Sequence, residues 1–459
     1  MKRVFAALLL VALGIVAVYG YYASRRERTY RRLVDMGDAA LARDDTFAAI
    51  EAFSGAITWK TDSMVGYLKR GEAYRRRNEL ESALRDLRKA SELDPLAPAP
   101  LELLGDVNAA LGRYSRAAER YQKCVGLDDR SPRVLYKLAL ARYRDGQAAS
   151  AVAPLRAAIV IDDRFAEAYY LLGLCLRETQ HLDEALKALE RSVAIAPAML
   201  HAREELGDLY GRLGRRDDRL TQLEALLALD PGPSREVALG LAYAQGGQAN
   251  RAVLTLGRAA ERYPDDPYTY VALGRVWLET AQSTHDRVAL SKALGALEEA
   301  VGSDDSSEAL TLFGRALLLA GDEELAERML QQATEKLPAD PLAFYYLGDA
   351  AERRGHDDVA RRALLDYQVL QGDEQDAQRR AAFAARLGDL SARLTDYTAA
   401  MTWYQRAVDA GGADASLLVR QADAQAHAGD IETARVTVAK ALEKEPANRL
   451  ARALQRRLK

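Results

Sequence analysis

The chain has 459 residues, of which 49% are hydrophobic and 29% charged, with a formal net charge of −3. That apolar content is too high for a disordered, charge-swollen chain, and the near-neutral balance excludes a globally basic nucleic-acid binder. The first element in chain order is an uncharged stretch, 4–24, rich in Leu, Ala, Val and Ile, behind Met1, Lys2 and Arg3. A helix needs about 20 such residues to cross a bilayer. Tyr19, Tyr21 and Tyr22 fall where an aromatic belt would lie. A cleaved signal peptide has a shorter apolar region and a small-x-small site, and the sequence from Tyr19 to Ser24, followed by Arg25 and Arg26, lacks one. Residues 1–3 are therefore expected to be a short tail, 4–24 an uncleaved single-pass signal-anchor, and 25–29 a basic juxtamembrane flank.

Charge gives the anchor's orientation only narrowly. Lys2, Arg3 and the free amine oppose Arg25, Arg26, Arg28, Arg31 and Arg32. A short tail with three charges is costly to translocate, so the rest of the chain is expected on the outer, periplasmic side of a bacterial inner membrane, with the cytoplasmic side as the rival. The bacterial setting itself is read from the short anchor and the arginine-rich composition. No proline separates the anchor from residue 30 and beyond, which predicts one continuous helix into the next element.

From residue 30 onward a small residue recurs: Gly37, Gly71, Gly105, Ala139, Gly173, Gly207, Gly240, Gly274, Gly314, Gly348, Gly388 and Ala422. The spacing is 34 residues almost throughout, with gaps of 40 before Gly314 and Gly388. An alanine follows twelve residues after most of these landmarks, from Ala49 to Ala434; Ala293 takes the role after an insertion, and Arg219 breaks the pattern. Leu104-Gly105 with Ala117 and Tyr121, and Phe313-Gly314 with Ala326, Ala333 and Pro338, carry the fuller motif. Pro95, Pro197, Pro231, Pro264 and Pro446 recur at the same closing position.

This pattern resembles the tetratricopeptide repeat (TPR) family, a helix–turn–helix unit of 34 residues. The resemblance covers 30–448 and implies an all-α, right-handed superhelical solenoid of about twelve repeats, each burying its apolar face against its neighbours. Small residues at positions eight and twenty let helices A and B approach, and a small residue at position twenty-seven lets the next repeat dock. Gly112, Gly146 and Gly214 sit between the helices, where a left-handed cap is expected. Residues 449–459 read as a basic capping helix. Three places depart from the pattern. Repeat six has Arg219 and Leu226 where alanines are expected, which makes it the loosest unit and a candidate bend. Thr280–Arg287 is expected to lengthen the turn inside repeat eight, and Gln371–Gln378 to add a polar loop between repeats ten and eleven.

Chemistry-bearing motifs do not emerge. His181, His201, His285, His356 and His427 lie in different repeats without metal-ligand spacing, and no nucleotide or nucleophile fingerprint appears. Cys124 and Cys175 fit packing positions. The expectation is a non-enzyme without metal or other cofactor.

In this family helix A positions two, five, nine and twelve line the concave surface. Those positions gather Arg133, Tyr136, Leu140 and Tyr143 in repeat four with Tyr170, Leu174 and Arg177 in repeat five; Tyr268 and Tyr345 would extend the surface. Tyr and Arg are enriched where interfaces gain their energy. The resemblance implies protein or peptide ligands there. Val34, Asp38, Leu68 and Glu72 occupy the positions where a carboxylate clamp needs Lys and Asn. At position nine, Asp38, Glu72, Asp106, Asp208, Asp349, Asp389 and Asp423 form an expected acidic stripe that would repel nucleic acid and suit a basic partner. The function expected is a membrane-anchored scaffold that assembles or recruits a complex. The alternative is an envelope-biogenesis or export factor contacting polysaccharide or lipid intermediates.

Overall fold

The computed structural model describes residues 2–372 and 375–458, with the side chains of 2–9 and 11 outside the described ones. Among the described residues the chain is all-helical, with 25 α-helices and a π-helical turn at Val408–Gly412. Short turns join them in sequence as helix A and helix B of twelve repeats, followed by a last helix, Arg449–Arg457. Two compact units are formed, Met1–Gln222 and Leu223–Lys459. The division falls inside helix B of repeat six (Arg216–Leu229), the repeat that lacks the small residues at positions twenty and twenty-seven.

The period has a steric cause. Position eight of helix A faces a large side chain at position twenty-four of helix B. A Cβ on Gly37 would stand 2.3 Å from the Phe53 ring, one on Gly105 2.4 Å from the Tyr121 ring, and one on Gly173 2.6 Å from Leu189. The same clash recurs at Gly71, Gly240, Gly274, Gly314, Gly348 and Gly388. Carbon atoms normally approach to about 3.5–4.0 Å, so only glycine lets the two helices close at these points. Alanines at position twenty, such as Ala83, Ala151 and Ala326, are fully buried in the same contact. Position twenty-seven is equally strict: Ala56, Ala90, Cys124, Ala158, Ser192, Ala259, Ala300, Ala333, Ala407 and Ala441 occupy it in ten repeats and are at most 2% exposed. The exceptions are Leu226 in repeat six and Tyr367 in repeat ten.

Helix A of repeat one is the end of a single helix, Lys2–Ala42. Its second half docks on the first repeat. Tyr30 is buried, its hydroxyl 2.5 Å from Ser63 Oγ, and Arg26 Nε donates to the Trp59 carbonyl at 2.5 Å. Part of the basic flank is thus engaged by the protein itself. Residues 4–9 and 11 of the expected anchor have side chains outside the described ones. Among the described residues no helix is long and apolar enough to cross a membrane, so the expected span gains no support there.

Two expectations about insertions are corrected. In repeat eight the extra residues do not lengthen the turn. Helix A runs from Pro267 to Thr284 and helix B from Arg287 to Ser303, leaving only His285 and Asp286 between them. His285 adopts the left-handed conformation at φ 55° and Asp286 caps helix B by accepting from Val288 N–H. The apolar spacing continues through the insert, with Leu278, Ala281 and Ala289 buried, so extra helical turns were cheaper than a loop. Between repeats ten and eleven the ends of the insert are helical, at Gln371 and from Ala377, so the expected polar loop shrinks to the residues between them, of which 373 and 374 lie outside the described residues. At the C-terminal end Ala451, Leu454 and Leu458 bury against Leu418, Ala422 and Val438, covering the last repeat.

Candidate partner-binding site

Helix A of repeat four, Pro132–Arg144, starts where Ser131 Oγ accepts from Val134 N–H and Pro132 fills the first turn. Val134, Leu135, Leu138 and Ala141 bury one face. That leaves Arg133 exposed and Tyr136, Leu140 and Tyr143 half-buried on the other. Helix A of repeat five, Ala166–Glu178, sets Tyr170 beside them. Tyr136, Leu140, Tyr143 and Tyr170 all pack on one core cluster of the first unit, and Leu174 is part of that cluster. Tyr136, Leu140, Tyr143, Tyr170 and Leu174 are thus brought together, Leu174 being only 8% exposed.

The polar atoms of this patch are partly engaged already. The Tyr136 ring lies 5.1 Å from Phe165. Burial pushes the Tyr143 hydroxyl up to about 12, and its hydrogen bond to the Glu178 carboxylate acts in the same direction. Burial also raises Tyr170. All three rings stay neutral at physiological pH and present π-faces with hydroxyl donors. Arg177 is ion-paired with Glu205 on helix A of repeat six (Leu200–Arg212).

The acidic stripe is largely neutralised. Asp38 takes Lys69 at 2.6 Å, Asp106 takes Lys137 at 2.8 Å, Asp349 takes Arg386 at 2.5 Å and Asp389 takes Arg420 at 2.5 Å. In each pair a position-nine carboxylate meets a position-six cation of the following repeat. Glu72 is held by Arg75 and Arg76 of its own helix, and Asp423 by Arg457 of the last helix. Six of the seven acids thus join protein to protein, which removes most of the field expected to attract a basic ligand.

Tyr268 and Tyr345 lie in the second unit. Tyr268 is 67% exposed and stands at the start of helix A of repeat eight. Tyr345 opens on a feature absent from the sequence reading, a cavity of about 1130 Å³ between repeats ten and eleven. Tyr345 and Tyr367 have ring centroids 5.3 Å apart, Tyr367 and Phe383 5.9 Å, and Trp403 completes the aromatic lining. Arg379, Arg380, Arg386 and Arg406 stand around it, with Asp409 as a carboxylate in the wall. The cause is Tyr367 at position twenty-seven. A phenol stands in the wall where ten other repeats place a small residue. That misfit at an otherwise strict position was the available signal.

Among the described residues no group of three His, Cys, Asp or Glu side chains is placed to hold a metal ion. Both cysteines are buried, and burial pushes Cys124 up to about 11 and Cys175 up to about 12, so neither is a thiolate at neutral pH.

Comparison with known proteins identifies the repeats. Models described as tetratricopeptide repeat match residues 68–132, 166–198, 237–266 and 311–377. The chain carries tetratricopeptide repeats. Small glutamine-rich tetratricopeptide repeat-containing protein 2 of Mycosarcoma maydis is 32% identical over 117 residues, 26% of this chain and 33% of that protein. The chain thus spans about a third of the curated relative's length. Among solved structures, YrrB, a TPR protein with an unusual peptide-binding site, is similar at 26% identity, over 40% of this chain and 94% of its own, with a TM-score of 0.37. The Cut9–Hcn1 hetero-tetramer of the APC/C is similar at 14% identity, over 94% of this chain and 96% of its own, with a TM-score of 0.36. Tetratricopeptide repeats generally mediate protein–protein interactions.

Proposed function

We propose that this protein is a non-catalytic scaffold, attached to a bacterial inner membrane, that binds protein partners through its tetratricopeptide repeats on the periplasmic side. The observation that carries the attachment is the first helix. Leu10, Leu13, Ile15, Val16, Val18, Tyr19, Tyr21 and Tyr22 are each between 57 and 77% exposed. An apolar surface of that extent needs a cover, and an exposed apolar stretch followed by arginines suits a bilayer. Because the helix runs unbroken to the buried Tyr30, membrane attachment would fix the angle of the first repeat instead of tethering it loosely. The half-buried tyrosines of repeats four and five, beside the exposed Arg133, support partner binding.

Two experiments test this reading. The full chain is expected to stay with membranes through an alkaline carbonate wash, and a chain starting at Arg25 to be released. Release of the full chain would overturn the attachment. Reporters fused after Lys459 read the side, with activity of a periplasm-dependent reporter expected. For partner binding, a photo-crosslinking residue at position 133 should give discrete protein adducts in cells, and one at Val160, exposed on helix B of repeat four, should not. Equal adducts at both would remove the patch from the function.

A further inference from the structure

The turn that closes repeat one, residues 59–63, departs from its counterparts in both side chain and charge. At position thirty, repeats two to six carry Leu93, Leu127, Ile161, Ile195 and Leu229, whereas repeat one carries Trp59, 42% exposed. At the next position Asp94, Asp128 and Asp162 each accept from the N–H two residues on, at 3.0–3.2 Å, which closes the turn. Repeat one has Lys60 there and gives that bond up. Its turn is tied to the first helix instead. Arg26 Nε donates to the Trp59 carbonyl, Lys60 Nζ lies 3.4 Å from Glu27 Oε2 and 5.1 Å from the Tyr30 ring, and Ser63 Oγ meets the Tyr30 hydroxyl. The turn therefore stands at the level of residues 26–30. Arg26 is four residues beyond Tyr22, about 6 Å along a helix, and a headgroup layer is about 5–8 Å thick on each side of the hydrocarbon core.

We propose that this turn seats repeat one on the headgroups of anionic lipids in the membrane that holds the first helix. The inference deepens the attachment reading above and rests on it. Trp59 takes the interfacial level that its amphipathic ring favours. Residues 25–35 and 59–63 hold five arginines and Lys60 against three carboxylates, Glu27, Asp35 and Asp62. Glu27 is shared by Arg31 and Lys60, and Asp62 takes Arg26. Arg25 and Arg28 are exposed, lie three residues apart on one helix face, and have no carboxylate partner among the described residues; Arg28 spends only Nε, on the Ser24 carbonyl. Both are free to donate to lipid phosphates. The aspartates at the matching turns of repeats two to four would be repelled by such a surface, so only the first turn suits it. A spanning helix alone leaves its tilt open, and a second interfacial contact beside it fixes that tilt.

Trp59 provides the readout. The chain contains three tryptophans, so replacing Trp277 and Trp403 with Phe leaves it as the single reporter. The full chain is reconstituted into phosphatidylcholine vesicles, with or without phosphatidylglycerol, whose upper acyl chains carry bromine as a short-range quencher. Flotation establishes attachment first. Strong quenching of Trp59 is expected in the anionic vesicles and weaker quenching in the neutral ones. About half or more of it should be lost when Lys60→Gln is combined with Arg28→Glu. A chain with Trp59→Phe and Leu127→Trp carries its reporter at the same position of repeat three, where Leu127 is 41% exposed, and should stay unquenched in both. Neither replaced cation is buried, so unchanged far-UV circular dichroism should accompany the charge variant. A floating chain whose Trp59 is unquenched in anionic vesicles would overturn the proposal, as a second copy covering the turn would make it. Quenching equal to that of the repeat-three reporter, or indifferent to lipid charge and to the charge variant, would overturn it too. Each of these sinks this inference alone, whereas failure to float would sink the attachment reading itself.

Discussion

Gly314 and Gly295 both lie inside helices of neighbouring repeats, and the same substitution should move stability in opposite directions. Gly314 is position eight of repeat nine, in the helix Ser307–Ala320. A Cβ there would stand 2.4 Å from Leu330 Cγ, 2.7 Å from Cδ2 and 3.1 Å from Cδ1. Leu330 is fully buried among Phe313, Leu317 and Ala326, so it has no free direction to turn. Overpacking of a filled core costs about 1–3 kcal/mol. Replacing a helical glycine with alanine returns about 1 kcal/mol of propensity. With three atoms inside contact distance the upper half of the range applies, and Gly314→Ala should lose about 1–2 kcal/mol net. Gly295, in helix B of repeat eight, is exposed and its Cβ would meet nothing within 4 Å, so Gly295→Ala should gain about 0.5–1 kcal/mol.

Urea unfolding followed by circular dichroism measures the sign, and amide hydrogen exchange locates it. Repeat arrays open locally, so exchange in the helices of repeats eight to ten should quicken for Gly314→Ala and slow for Gly295→Ala. A Gly314→Ala chain as stable as the parent would refute the steric account of the repeat period. The glycine would then be a signature without a physical cause.

Two further outcomes separate buried from exposed charge. Arg70 Nε and Nη2 donate to Asp86 at 2.6 and 2.9 Å, and Asp86 is only 7% exposed. Arg70→Ala strands that carboxylate and should cost about 3–5 kcal/mol, whereas Asp38→Ala, breaking the more exposed pair with Lys69, should cost about 1 kcal/mol or less; equal shifts in urea midpoint would contradict the distinction. Burial alone would raise Glu352, but hydrogen bonds from Arg393 and Arg386, together with their positive charges, outweigh it and hold the carboxyl below its ordinary 4.5. A depressed carboxyl stabilises the fold above the unfolded value and stops doing so as pH falls through the folded one. Stability should therefore decline with acid below about pH 4.5, and Glu352→Gln should flatten that decline in unfolding midpoints measured between about pH 3 and pH 5.

Much of the fold was legible because one contact writes itself into nine of the twelve repeats. A ring or leucine at position twenty-four touches position eight, so the glycine recurs wherever the contact does, and pattern and cause coincide. The insert in repeat eight was read as a loop because its polar residues, Thr280, Ser283 and Thr284, suggest a turn. In the folded helix their hydroxyls donate back to carbonyls three or four residues earlier, which a helix tolerates. The acidic stripe was visible as sequence but its neutralisation was not. Apart from Arg75 and Arg76, which hold Glu72 within its own helix, each partner lies about one repeat further on, at a position with no motif of its own.

The positions that broke the pattern carried more information than those that kept it. Docking a repeat requires a small side chain at position twenty-seven, and only two repeats refuse it. Leu226 stands in the helix where the chain divides into two units, and Tyr367 stands where a cavity opens. At Tyr367 a larger side chain stands where ten repeats place a small one. In repeat ten the cavity is lined with the rings of Tyr345, Tyr367, Phe383 and Trp403 and with arginines. The Tyr367 ring packs on Tyr345 of its own repeat and on Phe383 of the next. A solenoid that merely needed to stack would have kept alanine there. The larger residue instead leaves room that the rings of Tyr345 and Phe383 share with it.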